Sequence, residues 1–232
     1  MKKTLLLILI SCISWSCTDA QIKGLLNKIP IQVSEKEVAS GLKQALEKGI
    51  EKGTQVASAP NGFFGNPLIK IPFPEDVKQV ETRLRQAGLN KQVDEFILTL
   101  NRAAEDASKE ALPIFKEAIL QMSVQDAFGI LKGENDAATS YLKRTTSASL
   151  EAKFEPVIDA ALDKVNATKY YEDLVNTYNK IPLVKKVESD LTEYATQKAL
   201  DGLFTLVAQE ELNIRENPGA RTTDLLKKVF AQ

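Results

Sequence analysis

From Ser34 to the C-terminus, apolar residues return at three- and four-residue steps in one segment after another, and no convincing period-two pattern appears. A helix face repeats every 3.6 residues, whereas a half-buried strand alternates. A chain written this way must bury its apolar stripes by packing helix on helix. The expected fold class is therefore all-α.

The punctuation predicts where the helices lie. Ser34 and Glu37 have the spacing of a capping box, and the helix that follows puts Val38, Leu42, Ala45, Leu46 and Ile50 on one face. Pro74 suits a first helical turn and Gly88 a C-terminal cap. Asn90 is placed to cap a long helix carrying Val93, Ile97, Leu100 and Ala104, and Pro113 to open another through Ile119. Ser123 with Asp126 caps a short helix ending at Gly133, and Asn135 caps the next, through Tyr141. Leu150 to Val165 is periodic, with a kink expected at Pro156. Tyr170, Leu174 and Tyr178 line a further helix, Asp190 to Arg215 is the longest, and Thr222 or Thr223 caps a last one through Phe230. The expectation is a single compact bundle of about nine or ten helices over residues 34–232.

Residues 60–74 break the pattern. Asn61-Gly62 and Gly65-Asn66-Pro67 are turn signals, and Leu68 to Ile71 has room for a short extended run. With Phe63, Phe64 and Phe73 the loop is too apolar for a linker, so it is expected to fold back over the helices.

The N-terminus has the layout of a signal peptide over residues 1–16: Lys2 and Lys3, then the apolar run Leu5 to Ile10. Ser14-Trp15-Ser16-Cys17 resembles a bacterial lipobox, which makes Cys17 the expected site of lipidation and residues 17–33 a tether. The anchored domain is then expected on the periplasmic side of the cell envelope. The rival reading is cleavage after Ala20 and free secretion.

Composition narrows the chemistry. There is no histidine, and both cysteines, Cys12 and Cys17, lie in the leader region. His-based acid–base catalysis, Ser-His-Asp and Cys-His systems and Cys- or His-ligated zinc are excluded from the domain. Thirty basic residues against 31 acidic ones, with no long run of either sign, argue against a nucleic-acid partner. Lys132-Gly133-Glu134-Asn135-Asp136 lacks the alternating ligands of an EF-hand, so no metal or cofactor is expected.

Two polar groups stand out, one opposite the apolar face of its helix and one within an apolar row. Arg102 and Glu105 are three residues apart and can pair, either on a solvated face or in a buried polar cluster with Asn101. Leu98 points to that same side, as if a second surface packed there. Glu211 interrupts the row Leu200, Phe204, Val207, Ile214, where an acid is costly unless an arginine such as Arg215 or Arg221 clamps it. A catalytic pair of carboxylates is the competing reading, with Glu105, Asp126, Asp136 and Glu211 as candidates.

Several stretches together resemble a family of bacterial exported proteins known as domain of unknown function 4197. They are Gly41 to Leu46, Asn61-Gly62-Phe63, Leu100-Asn101-Arg102-Ala103-Ala104-Glu105, Met122 to Gly133, Ala137-Ala138-Thr139-Ser140-Tyr141 and Ala199 to Phe204. The tail Glu210 to Arg215, with Pro218, Arg221 and Thr222, completes the set. The resemblance implies a helical domain that is secreted or lipid-anchored, and it brings no activity. Asn101, Arg102, Glu105, Asp126, Asp136, Thr139, Glu211, Arg215 and Arg221 form the candidate polar cluster. The function expected is a non-enzymatic binding or scaffolding domain. The alternatives are an apolar-ligand carrier with Phe63, Phe64 and Phe73 as its lid, and a two-carboxylate hydrolase.

Overall fold

The structure is a computed structural model that describes residues 34–180, 183, 186–187 and 190–220. Eight α-helices follow one another: α1 (Glu35–Ser58), α2 (Lys78–Gln86), α3 (Asn90–Ala107), α4 (Ala111–Gln121), α5 (Val124–Leu131), α6 (Ala137–Asp163), α7 (Ala167–Asn179) and α8 (Leu191–Glu216). Short 3-10 turns lie at Glu75–Val77, Ser108–Glu110 and Pro218–Ala220, and no strand occurs among the described residues. The fold class is all-α. Eight α-helices stand where nine or ten were expected of the whole chain. The helix expected after Thr222, the leader and the tether all lie outside the described residues.

Local signals place several ends. Ser123 Oγ accepts from the Asp126 N–H at 3.0 Å, and the Asp126 carboxylate accepts from the Ser123 N–H at 3.1 Å, a complete capping box. Asp190 caps α8 by accepting from the Glu193 N–H at 2.8 Å. At the end of α2, Gly88 has φ +85°, a conformation that suits a residue without a Cβ. The Leu89 N–H reaches back to the Leu84 carbonyl and that of Gly88 to Arg85, which satisfies two orphan carbonyls.

Other ends differ from expectation. Asn90 lies inside α3 and Leu89 occupies its N-cap without a side-chain bond. Pro113 falls in the first turn of a helix that begins at Ala111. The two helices expected around Tyr141 and Leu150 are one 27-residue helix, α6, which exceeds the 26 residues of α8. The bridging segment is rich in hydroxyls, yet Thr145, Thr146 and Ser147 bond back to carbonyls one turn earlier, so the helix continues through them. Pro156 sits on the exposed face of α6, where the carbonyl it leaves without a donor can meet water.

α6 and α8 form the middle of the bundle. α6 packs against both α3 and α8, α8 also against α1, and α4 against α1 and α6. The α6 stripe of Leu142, Leu150, Phe154, Ile158 and Leu162 is fully buried, as are Leu100, Phe115 and Ile119. Each such side chain contributes about 1.5–3 kcal/mol on leaving water. Phe63, Ile69, Ile71 and Phe73 of the 60–74 segment belong to the same apolar core. Phe63 can sit there because residue 202 of α8 is glycine: a Cβ at that position would come within 2.5 Å of the Phe63 ring.

Candidate functional site

The candidate polar residues on the helices fall into two separate groups. The first lies on α3, beneath the 60–74 segment. Asn101 is fully buried, and its amide accepts from the Ile71 N–H at 2.9 Å while donating to the Ile71 carbonyl at 2.8 Å. It also donates to the Ile97 carbonyl at 2.7 Å. A side chain here does for Ile71 what a neighbouring strand would do. One turn on, Glu105 Oε1 accepts from the N–H groups of Phe63 and Phe64 at 3.1 and 3.2 Å. Its other oxygen takes Arg102, whose second amino group donates to the side-chain Oδ1 of Asn61 at 2.8 Å. Glu105 is 4% exposed, so the solvated-face reading is corrected for the acid, while the Arg102 side chain is 42% exposed at the edge of the cluster. Buried backbone groups must find partners, and Asn101 and Glu105 supply them to the loop, while Arg102 ties Glu105 to the Asn61 side chain.

The second group joins α5, α6 and α8. Asp136 is the N-cap of α6 and makes no side-chain capping bond. Glu211 of α8 takes that role instead. Its oxygens accept from the N–H groups of Ala138 and Thr139 at 2.9 and 2.8 Å and from the Thr139 hydroxyl at 2.8 Å. These are donors that a helix leaves unpaired in its first turn, and the positive end of the helix dipole favours an anion there. Arg215, one turn along α8, donates to Glu211 at 2.8 and 3.0 Å and to the Ile130 carbonyl near the end of α5 at 2.8 Å. The open space beside Glu211 and Arg215 is about 10 Å³, no more than one water needs.

Of the remaining candidates, Asp126 is bonded into neither group. Asp126 serves the Ser123 capping box, and hydrogen bonds from the Ser123 hydroxyl and backbone hold its carboxyl below the usual range. Arg221 and Cys17 lie outside the described residues. The structure does not bring Glu105, Asp126, Asp136 and Glu211 into one cleft. Glu105 holds the loop, Asp126 and Glu211 each cap a helix end, and Asp136 makes no capping bond.

Larger recesses lie elsewhere. Between α2, α3 and α7 runs a half-open groove of about 590 Å³. Phe73, Leu84, Phe96, Leu98, Tyr171 and Leu174 line it, with Leu89, Val165 and Tyr170 at more exposed positions. Phe96 lies 5.0 Å from Phe73 and 6.4 Å from Tyr171, centroid to centroid, so three rings form one contiguous surface. Burial pushes the Tyr171 phenol up to about 12. The lid expected of Phe63, Phe64 and Phe73 is corrected in two of its three members. Phe63 is wholly inside the core and Phe64 lies under Lys70, whose ammonium is 4.1 Å from the ring centroid. Only Phe73 reaches the groove.

Sequence reasoning also misplaced the tyrosines. Tyr170, expected to line its helix with Leu174 and Tyr178, is 67% exposed, and Tyr171 is the buried one. Asn166, at φ +53°, is the N-cap of α7, and the buried stripe of that helix is Ala167, Tyr171 and Val175, at four-residue steps. Leu98, the residue pointing away from the α3 core stripe, was the one visible sign of a second surface.

A second groove, of about 680 Å³, is polar and carries Glu155, Asp159, Glu172 and Asp190. Asp159 there accepts from the Thr192 hydroxyl at 3.0 Å. Among the described residues no cluster of three or more potential ligands is placed to hold a metal ion, and no helix is long and apolar enough to cross a membrane.

A family model described as "Protein of unknown function (DUF4197)" matches residues 32–231. The chain belongs to that family. No curated protein and no solved structure matches it.

Proposed function

We propose that this member of the DUF4197 family is an exported, lipid-anchored binding domain without catalytic chemistry of its own, and that the groove between α2, α3 and α7 is its binding site. The observation that carries the reading is the groove itself. Its 590 Å³ falls in the range of small-molecule sites, about 300–1,000 Å³, and its walls are mostly apolar and aromatic. The buried carboxylates of Glu105 and Glu211 support the non-enzymatic part. Both are taken up by backbone N–H groups and arginines, which leaves neither of them facing a substrate-sized space. The anchor is supported by the leader, the lipobox-like Ser14 to Cys17 and the 16 residues between Cys17 and the start of the described domain.

The test is titration with an uncharged fluorescent apolar probe, N-phenyl-1-naphthylamine. Saturable binding of one probe per chain is expected, and it should be lost in Val165→Asp, which sets a charge at the groove edge where Val165 is already half-exposed. Binding that does not saturate, or that ignores Val165→Asp, overturns the assignment of the groove.

A further inference from the structure

The groove is far more aromatic than the chain that builds it. Aromatic residues make up 6% of the sequence, yet Phe73, Phe96, Tyr170 and Tyr171 all line this one recess. Aromatic rings carry negative charge density on their faces and attract cations, organic ammonium ions above all. The charged lining is equally one-sided. Among the described residues, Glu95 is the one charged side chain in the wall. Its carboxylate is 62% exposed and its partner Lys91 stands 3.7 Å away at 85% exposure. So loose a surface pair is worth little, and Lys91 yields at small cost to a better-placed cation. Lys164 and Lys169 neighbour the lining residues Val165 and Tyr170 in sequence but do not themselves line the groove.

Rings, an apolar floor and a lone carboxylate are complementary to one ligand chemistry. We infer that the groove receives an organic ammonium ion with an apolar substituent, the substituent lying on the apolar floor and the cation favoured by the aromatic wall and Glu95. This rests on the groove being a binding site. It adds the sign of the ligand's charge, which the apolar lining alone leaves open. A neutral molecule would gain only the floor, and an anion would meet Glu95 and the ring faces, offset only by the exposed Lys91.

The experiment compares three ligands with the same ten-carbon chain on the exported protein by calorimetric titration: decyltrimethylammonium, 1-decanol and decanoate, each below the concentration at which it aggregates. The ammonium should bind about tenfold more tightly than decanoate, with decanol between them. Glu95→Gln should weaken the ammonium about fivefold and leave decanol unchanged. Tyr170→Leu keeps apolar surface but removes a ring, and should do the same. Both positions are exposed, so neither change threatens the fold. Equal affinity for all three ligands, or a preference for decanoate, overturns the inference and leaves the apolar groove standing. Failure of decanol to bind overturns the groove as well. Ammonium binding that survives Glu95→Lys undiminished is adsorption elsewhere and also overturns it.

Discussion

Glu211 accepts both the backbone N–H and the hydroxyl of Thr139, each at 2.8 Å, across 72 residues of sequence. With the Ala138 N–H on its other oxygen, one carboxylate from α8 does the capping work that Asp136, next to α6, does not do. Arg215 neutralises that carboxylate and ties off a carbonyl of α5. Three helices therefore meet at a single ion pair, whose side chains are 11% and 4% exposed.

Removing the acid alone takes a carboxylate from Arg215 and leaves two first-turn amides without that acceptor. Glu211→Ala is expected to cost about 3–5 kcal/mol in urea or thermal unfolding. Glu211→Gln keeps an acceptor of the same shape and should cost less, though still more than a typical surface substitution. A change within error of zero for Glu211→Ala would mean that the clamp adds no stability.

The loop clamp makes a residue-resolved prediction, because its bonds end on identified amides. Glu105→Ala should speed hydrogen exchange at Phe63 and Phe64, and Asn101→Ala should do so at Ile71. Each truncation leaves buried backbone groups unpaired, at about 1–3 kcal/mol apiece. Uniform acceleration across the whole domain in either variant would show that the loop does not open as a unit of its own.

These contacts explain which parts of the structure were legible in the sequence. The Ser123–Asp126 box and the Asp190 cap are local, so spacing alone reveals them. The Arg102–Glu105 and Glu211–Arg215 pairs are also local, at three and four residues. What those carboxylates hold is not local: the amides of Phe63 and Ala138 lie 42 and 73 residues away. The continuity of α6 was hidden because Thr146 reads as polar, although its hydroxyl, bonded to the Leu142 carbonyl, is buried in the stripe. The groove left almost no trace, since its walls come from separate segments, from Phe73 to Leu174, that only the fold brings together.

Tyrosine ionisation gives a prediction with a definite sign. Burial pushes Tyr171 up to about 12 and raises Tyr194 as well. An unfolded chain ionises its phenols near pH 10, so it loses these protons first. The stabilisation is complete below pH 10 and is lost as the pH rises through the folded values. Tyrosinate absorbance should therefore show late-titrating phenols whose ionisation coincides with loss of helical circular dichroism. Tyr171→Phe should move that alkaline transition to higher pH. Titration of all the tyrosines near pH 10 in a domain that stays helical would contradict their burial.

The proposed anchor is tested at the opposite end of the chain. Cys17 follows a basic start and an apolar run, and 16 residues separate it from Ser34. Fully extended at ~3.3–3.6 Å per residue, that tether reaches at most roughly 55 Å, enough to hold the domain clear of lipid headgroups. A single acyl chain binds a membrane only marginally, whereas the several chains of a bacterial lipoprotein hold it stably. Cys17→Ala should shift the protein from the membrane fraction to the soluble one with its unfolding transition unchanged, while Cys12→Ala should leave its distribution as it was. Mass spectrometry of the mature N-terminus decides between the two cleavage sites. A lipid-modified chain beginning at Cys17 supports the anchor, and an unmodified chain beginning at Gln21 makes the protein a freely secreted one.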